Sequence, residues 1–152
     1  MAFVNCHCHD ERSNFRGRDA LIRTEELIEY AHKLGYKGIA ITNHETISSS
    51  LKANKYITSK MSEEEWKDFK VINGNEIYLC KDLTDENEKP TIFPHFILLA
   101  KDRIGFQQLC ELSYIAWTKN SFTNVQLAFV ASIFVYLTPE SDLKFSSYSY
   151  GG

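Results

Sequence analysis

The chain is poor in features that would place it outside the cell or in a membrane. Its four cysteines, Cys6, Cys8, Cys80 and Cys110, form no CxxC pair and lack the dense spacing of a secreted disulfide framework, so a reducing cytoplasm suits them. No basic stretch followed by an apolar core opens the sequence, which argues against a signal peptide. The longest apolar run, residues 127–137, is far short of the ~20 residues a membrane-spanning helix needs, and is expected to be buried. Positive charge is not in excess: the net charge is −3, which excludes a broad electrostatic grip on nucleic acid and leaves only local binding. No internal repeat and no linker is visible. What remains is a chain of 152 residues with 43% hydrophobic content, enough for one packed domain.

The patterning alternates strand and helix. "AFVNCHCH" is short and partly alternating, which predicts a first strand with histidines at its polar end. Thr24 as N-cap, Glu25 and Glu26 in the first turn, apolar Leu27, Ile28, Ala31 and Leu34, and a closing Gly35 predict a helix. "GIAIT" at 38–42 reads as a second strand, with a helix over about 47–59. Ser62 with Glu65 has the pattern of a capping box opening a short helix through Phe69. Residues 70–80 read as strand, turn, strand around Gly74, 81–90 as a charged loop, 91–100 as a strand and 103–118 as a helix. His32 falls on the first helix and is expected to be solvated. This order predicts an α/β domain with a largely parallel sheet.

Chemistry concentrates in a few positions. His7 and His9 lie two apart, so on a strand both imidazoles share a face, while Cys6 and Cys8 point the other way. That parity, and the lack of a second CxxC or HxxxH pair, argues against a Cys-His zinc cluster. His44 follows the second strand, Glu76 and His95 sit in later strands, and Asp19 lies in the loop after the first. A single strand histidine is usually a core residue, and a single loop aspartate is usually solvated. Four of five histidines at or within strands favour ligands, because strand ends of an α/β barrel converge on one mouth. Nitrogen and oxygen donors without thiolate suit zinc, manganese or iron. Such a cluster activates water and holds a phosphoryl group, which points to phosphoester hydrolysis. Lys101, Arg103, Arg16 and Arg18 are candidates to pair with the phosphate.

"HCH", "ITNHE", "GNE" and "PHFILLAKDRIGFQQLCELS" together resemble the PHP domain, named for polymerases and histidinol phosphatases. More narrowly, "SNFR", "ITNHETISSSLKANKYI", "GNEIYLC" and "HFILLAKDRIGFQQL" are similar to the N-terminal PHP domain of the alpha subunit of bacterial or phage DNA polymerase III. The resemblance implies a partial distorted (β/α)7 TIM-like barrel over residues 1–118, followed by a divergent tail over 119–152 that is non-native or disordered at its end. It implies divalent metal ions held by His7, His9, Asp19, His44, Glu76 and His95. The family's later cysteine and closing Asp-x-His motif find no match, so the resemblance implies a truncated barrel with an incomplete cluster. Thr42-Asn43-His44 stands where the family has Thr-Asp-His, and the amide is expected to weaken ligand orientation or charge balance.

The functional expectation is a metal-dependent phosphoesterase in DNA replication, acting as a proofreading exonuclease or pyrophosphatase. Its partners are DNA or nucleotide phosphate and the remainder of the polymerase subunit, with no membrane. The three catalytic carboxylates of a polymerase palm are not found, so this polypeptide is not expected to polymerise DNA. Two alternatives are a non-catalytic structural module and a small phosphatase of the histidinol-phosphate type.

Overall fold

Two kinds of strand pairing meet in one sheet. The computed structural model describes residues 3–15, 19–60, 62–78, 95–118 and 133–137. Strands β1 (Val4–Cys8), β2 (Gly38–Ile41), β3 (Lys70–Tyr78), β4 (His95–Ala100) and β5 (Ile133–Leu137) lie side by side in chain order. The β1–β2 and β2–β3 pairs are parallel, with helices α1 (Thr24–Lys33) and α2 (Ser50–Lys60) in the crossovers. The β3–β4 and β4–β5 pairs are antiparallel, and helix α3 (Arg103–Thr118) precedes β5. The expectation of a largely parallel sheet is therefore corrected: antiparallel neighbours need no helical crossover. The fold is mixed α/β, with the sheet curled into a half-barrel.

Side-chain parity sorts the core into layers. All four residues of β2 are buried because both faces are covered. Ile39 and Ile41 pack outward with Ile28 and Ala31 of α1, Ala53 of α2, and Trp66 and Phe69. Ala40 faces inward with Ile97, Leu99, Cys6 and Ile72. Phe96 and Leu98 of β4 join Ile77 and Leu109 under α3. Cys8 packs with the outer cluster but Cys6 with the inner one, and the β1–β2 register shifts between Asn5 and Cys8. That irregularity breaks the simple alternation expected for the two cysteines.

Several local expectations are refined. Residues 70–78 form one continuous strand, not strand, turn, strand. Gly74 serves close approach: a Cβ there would meet Thr42 Cγ2 at 2.7 Å and Leu99 Cδ2 at 2.9 Å. Arg23 is the N-cap of α1, and the Thr24 hydroxyl is taken by Asp10 instead. The turn at Glu64–Trp66 is 3₁₀ and its N-cap, Glu63, makes no side-chain cap. His32 is only partly exposed: its ring stacks on Trp66 at 3.8 Å and Nε2 lies 2.9 Å from the Glu65 carbonyl. Strand β5 lies beyond residue 118, where the tail was expected, and pairs with β4 along Phe96–Ala100. Residues 79–94, which include the expected charged loop, lie outside the described residues, as do 119–132 and 138–152. Among the described residues no helix is long and apolar enough to cross a membrane.

Candidate metal centre

One rim of the half-barrel collects every predicted ligand. His7 lies near the end of β1 and His9 just past it, and His44 follows β2. An isolated parallel bridge between His44 and Glu76 extends the β2–β3 pairing to this rim. Glu76 sits in the second half of β3. His95 begins β4, opposite Tyr78, and because β4 runs antiparallel its start reaches the rim where β1–β3 end. Asp19 arrives on the loop after the first 3₁₀ turn, where Asn14 Oδ1 accepts from the N–H groups of Asp19 and Ala20, both at 3.1 Å.

Glu76 is the hub. Its side chain is 1% exposed, yet four imidazoles surround it. Oε2 lies 2.6 Å from His9 Nε2, 3.1 Å from His7 Nε2 and 3.4 Å from His44 Nδ1, while Oε1 lies 2.5 Å from His95 Nδ1. Asp19 Oδ2 binds the outer side, 2.6 Å from His9 Nδ1 and 3.0 Å from His44 Nε2. Three overlapping trios result: His7, His9 and Glu76; His9, Asp19 and His44; His44, Glu76 and His95, each with donor atoms within 4.8 Å of one another.

These donors fit a divalent cation. His7 Nε2 and His9 Nε2 face each other at 3.1 Å. A four-coordinate ion with bonds of ~2.0–2.1 Å sets its ligands about 3.3 Å apart, close to that spacing and to the 3.1 Å from His7 to Glu76. Each neutral imidazole has one lone pair to give. A His9 that offers Nε2 to the His7–Glu76 trio therefore keeps its proton on Nδ1, donating to Asp19, which is the outer carboxylate partner that metal-bound histidines usually have.

The electrostatics favour ionised carboxylates. Burial would raise Glu76, but hydrogen bonds from His7 and His9 and the charges of His44 and His9 hold it well below the usual carboxylate range. For Asp19 burial is likewise opposed by the hydrogen bond and charge of His9, and its pKa is lowered. Burial pulls His9 down, but hydrogen bonds to Glu76 and Asp19 and their charges raise it overall. His44 is lowered, chiefly by burial with help from His9, against the pull of Glu76. Burial, then the neighbouring Cys6, pushes the Cys8 thiol up to about 11, which keeps it a neutral thiol and outside the ligand set.

Behind the rim a buried polar frame fixes the loops. The Asp10 carboxylate accepts from the Arg12 N–H, Asn43 Nδ2 and Ser49 hydroxyl on Oδ1, and from the Thr24 hydroxyl on Oδ2. Asn43 Oδ1 accepts the Asp10 N–H at 2.9 Å, and Ser13 Oγ accepts the His44 N–H at 3.1 Å. The Asn43 side chain thus bonds to Asp10 and Ser49, while its main-chain carbonyl accepts the Glu76 N–H at 3.1 Å. Glu45 follows at φ +50°, a strained conformation for a non-glycine residue, held by the Glu76 carbonyl at its N–H and by the Trp117 indole at its carbonyl.

Two residues of this region escaped the sequence reading. Tyr78 lies two beyond Glu76 on one strand, so the period of two already placed it on the ligand face. Asp10 directly follows His9, but nothing local distinguishes a buried aspartate from a solvated one. Two predicted phosphate partners are not brought to the rim. Lys101 and Arg103 follow the far end of β4, five residues or roughly 17 Å of strand from His95. Arg16 and Arg18 lie outside the described residues.

The PHP domain family matches residues 5–140. The DNA-directed DNA polymerase of Bacillus phage SPbeta and the Bacillus subtilis (strain 168) protein named as DNA polymerase YorL are each 42% identical over 125 residues, covering 79% of this chain and 10% of their own length. The DNA polymerase III subunit alpha of Treponema pallidum (strain Nichols) is 28% identical over 125 residues, covering 80% of this chain and 10% of its own length. The chain thus spans about a tenth of the length of the curated relatives it matches.

Proposed function

The chain belongs to the PHP domain family, and from that premise we propose that its rim is a divalent-metal site for phosphoester hydrolysis, working on nucleotide or DNA phosphate beside a replicative polymerase in the cytoplasm. The observation that carries this reading is the placement of His7, His9, His44 and His95 around the buried Glu76, with Asp19 closing the outer side. Zinc, manganese or iron bound there would make hydroxide from water near neutral pH and offset charge on the phosphoryl oxygens. The chain's own groups supply the rest. Glu76 and Asp19 are held ionised, so the rim attracts a cation. His7 and His95 are 38% and 41% exposed and form the open side through which a phosphate enters. On this reading the described strands are the first part of a (β/α)7 barrel, and the substrate is the 3′ end of a primer or pyrophosphate.

A second reading, a non-catalytic module that stabilises or docks a larger polymerase subunit with its metal partial or absent, draws support from Lys101 and Arg103, which lie at the wrong end of β4 to pair with a phosphate at the rim. Metal analysis of the purified chain, with assay on p-nitrophenyl phosphate and on a 3′-mismatched primer, separates the two. Stoichiometric metal with turnover that His9→Ala abolishes supports hydrolysis. A folded chain with no turnover on either substrate, or one that takes up no zinc, manganese or iron, overturns hydrolysis and leaves the structural module.

A further inference from the structure

His44 belongs to two of the three candidate trios, facing Asp19 through Nε2 at 3.0 Å and Glu76 through Nδ1 at 3.4 Å. One neutral imidazole serves only one of them at a time, so whatever occupies Nδ1 decides the allocation. The Tyr78 hydroxyl lies 3.1 Å from Nδ1, nearer than the Glu76 carboxylate. The phenol and imidazole planes are within 8° of parallel, and the His95 ring packs edge-on against Tyr78 at 4.7 Å. Tyr78 is also paired with His95 across β3 and β4, so its place is set by the sheet and not by a loop.

We propose that Tyr78 is a positioning residue, whose hydroxyl occupies Nδ1 of His44 and thereby commits Nε2 to the Asp19 side of the rim. A phenol both donates and accepts. In the metal-free protein it donates to Nδ1 while the Nε2 proton is directed at Asp19. When Nε2 gives its lone pair to a cation, the ring carries its proton on Nδ1 and the hydroxyl turns to accept it. The change is tautomeric, exchanged through water, and the pair neither gains nor loses a proton. Phenylalanine fills the same space and does neither. The inference rests on the reading of the rim as a cation site, but part of its test does not.

The test is Tyr78→Phe in the full chain, read two ways. In the metal-free protein at mildly alkaline pH, the ¹⁵N resonance of His44 Nδ1 should move toward that of an unbonded ring nitrogen. In a titration with Mn²⁺ alone, affinity should fall about ten-fold, the lower end of what losing such an outer partner costs. An unmoved Nδ1 resonance overturns the role of Tyr78 whatever the metal result. A moved resonance with wild-type Mn²⁺ affinity overturns positioning. A wild-type chain that binds no Mn²⁺ overturns the reading of the rim itself.

Discussion

At position 43 an amide stands where the resembled family has a carboxylate, and in this structure it faces the buried carboxylate of Asp10. Asp10 is fully buried with four donors on its two oxygens, and Asn43 Nδ2 is one of them at 2.7 Å. Asn43→Asp would set a second carboxylate against Asp10 and delete that donor. Leaving buried charges unpaired in this way costs on the order of 3 kcal/mol. The exchange Asp10→Asn with Asn43→Asp again faces one amide with one carboxylate, and should recover most of the loss. Urea unfolding at neutral pH checks this: the single variant should unfold at lower urea, and the double variant should lie nearer wild type. Additive losses in the double variant would show that the two side chains are not partners. The Asn43 side chain bonds Asp10 and Ser49 and its carbonyl accepts the Glu76 N–H, so any effect of the amide on the rim would pass through the backbone that carries His44 and Glu76.

Strand β3 joins the parallel and antiparallel halves of the sheet, and its glycine answers to both. A Cβ at Gly74 would strike Thr42 from β2's end, Leu99 from β4 and the Leu98 carbonyl at 3.0 Å, two residues before Glu76. Gly74→Ala should therefore cost about 1–3 kcal/mol by overpacking, and should weaken Mn²⁺ binding by displacing Glu76, measured by thermal unfolding and by titration. Wild-type stability in that variant would mean that Thr42 and Leu99 yield freely. The same strand explains what the sequence could and could not reveal. Helix α1 was readable because its acidic start, its buried Ile28 and Ala31 and its terminal Gly35 are all local signals. Asn73-Gly74-Asn75 has the composition of a turn, but the demand for glycine is tertiary, set by side chains from β2 and β4 that no local pattern reports. Strand direction was equally hidden. A parallel β4 would have carried Lys101 and Arg103 toward the rim, whereas the antiparallel strand brings His95 there and sends the two cations away. That the candidate residues gather at one rim was legible for the four histidines and Glu76, which fall in or next to strands, whereas the approach of Asp19 depends on a loop.

On the scale of the whole molecule, the rim ties together segments that are otherwise far apart in sequence: β1, the loop at Asp19, the end of β2, β3 and the start of β4. Two carboxylates kept ionised among four imidazoles leave the rim net negative whenever the imidazoles are neutral, a charge that one divalent ion offsets. An ion that binds only the assembled rim adds its binding energy to folding, about 2.7 kcal/mol when free ion stands at a hundred times its Kd. The unfolding midpoint of the wild-type chain should therefore rise as Mn²⁺ is added and fall back with a chelator, by several degrees for a domain of this size. His9→Ala removes the ring that contacts both Glu76 and Asp19, so its midpoint should respond little to Mn²⁺ even where the metal-free variant is as stable as wild type. A wild-type midpoint that ignores Mn²⁺, zinc and iron alike would mean that the imidazoles and carboxylates satisfy one another without a cation. The Glu76 pairings at 2.5–3.4 Å would then be structural bonds rather than a poised ligand shell.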